Sequence, residues 1–453
     1  MEKHKLSLIG KITVIKTFAL PKLIYPLTVL ENPPLDIINT IKKHLFDFLW
    51  DNKPDKISRK TIVQNYEKGG LKMIDIDLFI NSIKASWVKR ITNNNSTGDW
   101  KHIYLSLLER VGGNFIFECN IDTKDLKNTL KIKSNFLLDI IQSWSKINYN
   151  NNVQNINNEV LWNNSYIINN NKTIFYKTLY DKGLKYINQV FDNRLRLFYT
   201  FQYIKNVYAL NASDFLKYHT LIQSIPTHWK AKLKIENNLN NNTQQNLLTQ
   251  ISTQKSPNKY LYNIQLNRIT NSLVIKPHIK WEQEINNINW KIVHTIPIKS
   301  LINTKLRAFQ YKYIMRIVPN NNFLFKCNIN STRLCDFCNM FNESNKHLFG
   351  ECQWSRSFWT ELQVFLNVKR IDITLNYEIV SFGYIDQSSY STLINCILIV
   401  AKYFIFKNKY EKNCPSFNNF KKYLKYHESL ERLIAHSKDK LQEHDKKWNQ
   451  LQL

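Results

Sequence analysis

Glycine and proline are scarce in this 453-residue chain, at 9 and 11. All-β sandwiches and barrels need many tight turns, so the shortage excludes a turn-rich sheet fold and favours long helices. Cysteine is sparse and odd in number: Cys119, Cys327, Cys335, Cys338, Cys352, Cys396 and Cys414. That excludes the disulfide framework of a small secreted protein. No Walker loop, no dinucleotide-binding glycine motif and no pair of adjacent aspartates occurs. Uncharged apolar runs are also missing. Lys11, Lys16 and Lys22 interrupt the stretch from Leu6 to Leu30, which excludes a signal peptide. The run Leu393–Phe406 contains Lys402 and is too short for a hydrocarbon core of ~30 Å, so a buried helix is expected there. The chain reads as intracellular, nuclear or cytoplasmic, with no membrane partner.

Acidic residues are the other shortage. Lys plus Arg number 63 against 35 Asp plus Glu, a formal net charge of +28. The excess is spread: +7 over residues 1–92, +12 over 93–300, +6 over 301–370, −3 over 371–401 and +6 over 402–453. Four separate positive blocks are not one basic tail. A field that broad suits a polyanion, because each neutralised phosphate releases counterions. The alternative is a lysine-rich solubility surface.

Hydrophobic residues at 43% can fill several cores, and the chain divides into four stretches. Residues 1–92 read as a helical domain. Leu6, Ile9, Ile12, Ile15 and Phe18 line one face until Pro21 and Pro26 break the pattern. Asn32-Pro33-Pro34 opens a helix running to Trp50. Strand-like pieces at 57–63 and 71–74 flank Gly69-Gly70, predicting a small β-hairpin. Asp75 and Asp77 precede a helix to Ile91, where acidic residues cap the helix and favour its dipole. Asn93–Gly98 reads as a linker. Residues 93–300 form an Asn-rich, mainly helical connecting region, with Asn runs at 148–158, 163–171 and 237–246 expected as exposed loops. Residues 301–370 hold a helix capped by Thr304 and ended by Pro319. Its Lys305, Lys312 and Arg316 share one flank, which is either a phosphate-tracking or a merely solvated face. Residues 371–453 form a C-terminal helical region, its tail packing back onto the protein. The expected class is mainly α and multi-domain, with that hairpin and a small metal-stabilised module near the C-terminal third.

The module rests on Cys335-x2-Cys338-x8-His347-x4-Cys352. Three thiolates and one imidazole fill a tetrahedral zinc site and leave no open position, so the expected cofactor is structural Zn. Cys327 is a possible substitute ligand. Because residues 319–352 hold few apolar residues, chelation is expected to melt the local fold.

At these residues the chain resembles a known family. Residues 5–91, including "FLWDNKPDKISRKTIVQNYEKGGLKMIDIDLFINSIKASWVKRI", resemble the thumb of LINE-type non-LTR retrotransposon reverse transcriptases. Residues 299–360, above all "CDFCNMFNESNKHLFGEC", resemble their C-terminal zinc-binding segment. The order and separation of the two blocks fit the family as well, and the Asn-rich middle matches least. The resemblance implies a thumb that grips template–primer and a C-terminal part that holds element RNA or target DNA. The family's palm carries the metal-binding Asp-Asp pair and precedes the thumb, as does an endonuclease. This chain has no such pair, so no polymerase activity is expected of it alone. It reads as a truncated element or a fragment.

Carried over by position, the implied nucleic-acid contacts are Lys11, Lys16, Lys42, Lys43, Arg59 and Lys60 in the thumb-like part. Arg307, Lys312, Arg316, Lys326 and Arg333 come from the zinc segment. Phe337 and Phe349 are candidates to stack on unpaired bases, while Trp354 and Trp359 are expected to pack in the core. The rival readings are a zinc-organised protein-interaction scaffold, a polymerase part completed by a separately encoded palm, and a decayed copy without function.

Overall fold

The structure, a computed structural model, describes residues 6–93, 95, 98–129, 132–150, 153, 155–235, 246–270, 273–386, 388, 390–449 and 451. It is mainly helical, as expected, with two antiparallel sheets of two strands each among the described residues. The sheets do not lie in the N-terminal part. Ile168–Asn169 pairs with Lys172–Thr173 around Asn170 and Asn171, both at positive φ. Asparagine tolerates that conformation, which a two-residue hairpin turn demands. Phe191–Asp192 pairs with Leu197–Phe198.

The hairpin expected at 57–74 is instead a helical turn, Arg59–Ile62, and a 3₁₀ turn, Tyr66–Lys68. Ser58 caps the first, accepting from the Thr61 amide at 3.1 Å. The chain still folds back: the amides of Leu71 and Met73 both donate to the Ile62 carbonyl, at 3.0 and 3.1 Å. Gly70 sits against the Gln64 carbonyl so closely that a Cβ would collide with it. The paired glycines therefore mark a close backbone approach rather than a strand turn.

Two compact units are built from discontinuous segments: Met1–Ala19, Lys42–Ile74 and Ser272–Leu453 in the first, Leu20–Ile41 and Asp75–Asn271 in the second. The four contiguous domains expected from the sequence are thus corrected. Asn93 is not a domain boundary, because the flanking helices share one core. In the second unit Ile76–Ala85 packs against Asn135–Asn148 and Pro257–Thr270. Asp75 caps the first of these, accepting from the Leu78 amide at 3.1 Å. Trp144 and Trp162 are buried, their indole N–H groups donating to the carbonyls of Phe117 (2.8 Å) and Leu184 (2.5 Å). Within the Asn runs, Asn163 and Asn164 are fully buried and donate to the carbonyls of Val111 and Val160. Those two are core residues, not loop surface. The run at 237–245 lies outside the described residues, as do Asn94, Ser96 and Thr97 of the expected linker.

In the first unit, Ser391–Glu411 is the central helix, with Leu393, Ile394, Ile397, Leu398, Val400, Ala401 and Ile405 buried. Around it pack Trp290–Ser300, Thr304–Ile314 and Phe417–His436, and Leu441–Trp448 closes the tail back onto it. The helix is long and apolar enough to cross a membrane, but most of it is buried in this core. Leu8–Val29 passes the same length-and-composition test. Pro21 and Pro26 do not end that helical run. A π turn at Ile15–Ala19 precedes Leu20–Val29, and Pro26 lies inside the latter. Ile9, Ile12 and Ile15 are buried; Phe18 is exposed because the wider turn rotates the stripe, and Leu6 is exposed because it precedes the Ser7 cap of the helix. At 304–314 the cap is Asn303, which accepts from the Lys305 amide at 2.8 Å, and the helix stops at Ile314.

Candidate metal centre and nucleic-acid interface

Cys335 and Cys338 lie on one tight turn. The Cys335 amide donates to the Phe341 carbonyl at 2.9 Å, and the Asn339 amide donates to the Cys335 carbonyl at 2.9 Å. A β-bridge between Leu334 and Asn342 closes its base. His347 and Cys352 come from a π turn, His347–Glu351. In an ordinary α-helix, residues five apart point about 140° away from one another. Here the Cys352 amide bonds the His347 carbonyl at 2.8 Å, and the wider turn brings both side chains to one place. Two carbonyls of the turn find side-chain donors: Ser355 Oγ to Leu348 at 2.6 Å and Trp359 Nε1 to Phe349 at 2.8 Å.

The donor atoms of Cys335, Cys338, His347 and Cys352 all lie within 4.8 Å of one another. The Cys335 and Cys352 sulfurs are 3.9 Å apart, and Cys338 Sγ is 3.4 Å from His347 Nε2. A tetrahedral ion with metal–sulfur bonds of ~2.3 Å and metal–nitrogen bonds of ~2.05 Å needs separations of about 3.8 and 3.6 Å. The donor set fits a four-coordinate structural metal. Burial lowers the His347 pKa, which keeps the imidazole in its ligating neutral form. The hydrogen bond between the Cys335 and Cys352 sulfurs pulls the Cys352 pKa down and pushes that of Cys335 up, so the pair holds one thiolate and one thiol. Cys327 is exposed and lies outside the cluster.

The module is better anchored than its composition suggested. Cys335, Phe337, Leu348, Phe349 and Cys352 belong to the core of the first unit. Glu343 and Lys409 form a buried ion pair at 2.5 Å. Glu343 also accepts from the Asn321 amide at 2.8 Å, and Asn321 Nδ2 donates to the Leu334 carbonyl and to Asp336. Burial raises the Glu343 pKa despite the neighbouring ammonium. Nothing in the sequence signals a pair 66 residues apart.

That packing corrects the stacking assignment. Phe337 and Phe349 are buried, at 7% and 0% exposure, and cannot meet a base. Trp359 is core, as expected, but Trp354 is exposed, as is Phe341.

The basic residues divide into structural and available groups. Lys11 is buried, 2.6 Å from Asp51 Oδ1 and 3.3 Å from the Leu49 carbonyl. Arg59 pairs with Asp55 at 2.7 Å and lies over the Phe46 ring. Arg307 donates to the Leu301 and Ile298 carbonyls at 2.6 and 3.0 Å, satisfying the end of the Trp290–Ser300 helix. Arg316 lies beyond its helix at positive φ, pairs with Glu284 at 2.7 Å and covers Trp281. It therefore does not share a flank with Lys305 and Lys312. Arg333 covers Phe325. Lys43, Lys60 and Lys326 are exposed, and Lys42 is half-buried.

Lys16 and Lys312 differ from the rest. Both are half-buried, and among the described residues neither has a hydrogen-bond or ion-pair partner. Burial lowers the pKa of Lys16, with Lys72 adding to the effect. Burial likewise lowers that of Lys312, with Lys56 and Lys11 adding to it. Asp51 opposes them at Lys312 but is already paired with Lys11. Lys16 thus lies beside Lys72, and Lys312 beside Lys56 and the already paired Lys11, and these neighbourhoods make up the lysine patch of the first unit. Lys56 and Lys72 carry no local pattern that marks them.

No protein-family model matches the sequence.

Proposed function

We propose that this chain is the nucleic-acid-holding C-terminal part of a LINE-type reverse transcriptase, with zinc as the structural ion of its Cys₃His centre. The observation that carries this reading is the lysine patch. Half-buried ammonium groups without a counter-charge, each beside another lysine, are a standing cost to the fold, and a phosphate backbone laid across them offsets it. The net charge of +28 points the same way. The ligand is template–primer duplex or element RNA, gripped mainly through phosphate and with little sequence preference. Cys335, Cys338, His347 and Cys352 hold the zinc, which fixes the turn and the π turn and activates no substrate. This reading assigns no catalytic group to the chain.

The test is fluorescence anisotropy of the full zinc-loaded chain with a template–primer duplex and a structured RNA across a salt series. Affinity is expected to fall linearly on a log–log plot, by several powers of ten between roughly 50 and 200 mM salt if about six to ten phosphates are contacted. Absence of binding at low salt, or salt-independent binding, rejects the reading in favour of a protein scaffold.

A further inference from the structure

A second basic feature of the first unit is concave. The end of the Trp290–Ser300 helix, the start of Thr304–Ile314 and the helices Phe417–His436 and Leu441–Trp448 enclose a cleft of about 380 Å³. Six cationic side chains line it, Lys299, Arg307, Lys438, Lys440, Lys446 and Lys447, against two carboxylates. Both carboxylates are already engaged. Glu431 takes Lys447 at 2.7 Å and Trp448 Nε1 at 3.1 Å, and Glu443 takes Lys440 at 3.0 Å. Among the described residues no carboxylate pairs with Lys299, Lys438 or Lys446. These three lysines are exposed, whereas the apolar lining residues Leu301 and Leu393 are buried and Ile434 is half-buried, so the cleft has an apolar inner side and a charged outer one. Lys447 also donates to the Ser300 carbonyl at 2.8 Å, which holds the tail helix across the cleft.

We infer that this cleft binds a terminal phosphate carried on a nucleoside, with the phosphate at the lysine-lined mouth and the base and sugar against the apolar wall. An unbalanced set of donors suits a phosphate dianion, which accepts several charge-assisted hydrogen bonds. The volume lies at the lower end of small-ligand pockets and matches one nucleotide, not a duplex. A buried apolar wall with a charged rim is also unlike a groove that only tracks a backbone. The inference is independent of the lysine patch: Lys16 and Lys312 do not line the cleft. The same chemistry is offered by a free mononucleotide and by the 5′-phosphorylated end of a strand.

The full zinc-loaded chain is titrated calorimetrically with adenosine 5′-monophosphate, with adenosine, and with a short oligonucleotide bearing either a 5′-phosphate or a 5′-hydroxyl. Saturable one-site binding of the monophosphate is expected, with adenosine at least about tenfold weaker. The double variant Lys299→Glu/Lys446→Glu should weaken it by a similar factor, and Ile434→Trp should block it by filling the wall. Displacement of the bound monophosphate by the 5′-phosphorylated oligonucleotide but not by the 5′-hydroxyl one identifies a strand end as the source, and displacement by neither identifies the free nucleotide. The inference is overturned if the monophosphate does not saturate a site, or if the surface double variant, its melting temperature unchanged, binds as the parent does. A Lys16→Glu/Lys312→Glu variant that loses duplex binding but keeps the monophosphate separates this site from the patch.

Discussion

Glu343 and Lys409 meet at 2.5 Å with side-chain exposures of 0% and 3%, joining the metal-binding turn to the central helix of the first unit. Removing one partner leaves a buried charge unpaired, whereas removing both leaves only a packing change. Lys409→Met is expected to cost about 3–5 kcal/mol in denaturant unfolding, and Glu343→Gln/Lys409→Met together much less. A double variant as unstable as the single one would show that the pair does not act as a unit.

The metal centre predicts a local response. Cys335→Ser or Cys352→Ser should abolish stoichiometric zinc binding, measured by elemental analysis of the purified chain. Chelation should speed amide exchange across residues 333–352 while the Ser391–Glu411 helix stays protected. The reason is that this helix has its own apolar contacts, and the turn is tied down by Glu343 as well as by the ligands. Global unfolding on chelation would contradict this.

Gly350 lies on the π turn, and a Cβ there would come within 2.7 Å of the Tyr377 ring. Gly350→Ala should cost about 1–3 kcal/mol by overpacking. It should also lower metal affinity, because the turn that aligns His347 with Cys352 must shift. Unchanged zinc competition against a chromophoric chelator would show that the turn adapts.

His278 and His294 face each other at 2.9 Å between their Nε2 atoms, with Trp290 stacked on His278. Burial pulls the His278 pKa to about 4 and, with His278 beside it, that of His294 to about 3. Both are neutral above pH ~6.5, so their contribution to stability is fully present there. As pH falls below that value the unfolded chain takes up protons that the folded chain refuses. Stability is therefore lost down to the folded values, by up to about 1.4 kcal/mol per pH unit for His294. His294→Gln should flatten this acid limb in denaturant melts between pH 7 and 4. An unchanged slope would assign the limb to other groups.

At the lysine patch, Lys16→Ala and Lys312→Ala should each reduce the slope of log affinity against log salt by about one for a duplex. They should leave or raise stability, since each removes a half-buried charge that repels its neighbours. Arg316→Ala should do the opposite, destabilising through loss of Glu284 and Trp281 contacts with little change in slope. Equal slopes for all three would reject the patch as the contact surface.

Some of this was legible in the chain alone. Apolar residues three and four apart sufficed for a helix such as Leu35–Trp50, because the period of a helix is written locally, and the apolar run Leu393–Phe406 sufficed for the buried helix Ser391–Glu411. Asp75 was readable as a cap for the same reason. The four metal ligands were readable because short spacings and donor chemistry leave few alternatives. Proline misled at Pro21 and Pro26, because a π turn precedes the first and the helix Leu20–Val29 continues through both.

What the tertiary structure decided is everything that depends on which surfaces meet. Two units are interleaved along the chain, so Asn93 could not serve as a boundary. Phe337 and Phe349 look like exposed aromatics beside a metal site until the core covers them. Arg307 and Arg316 look like phosphate ligands until helix-end carbonyls and Glu284 claim them. Lys56 and Lys72 gain meaning only beside Lys312 and Lys16, hundreds or tens of residues away. Composition determined that this protein carries a large positive excess. Only packing decided which of those charges are paired, and so which remain for a ligand, because pairing depends on distance in space and the sequence records distance along the chain.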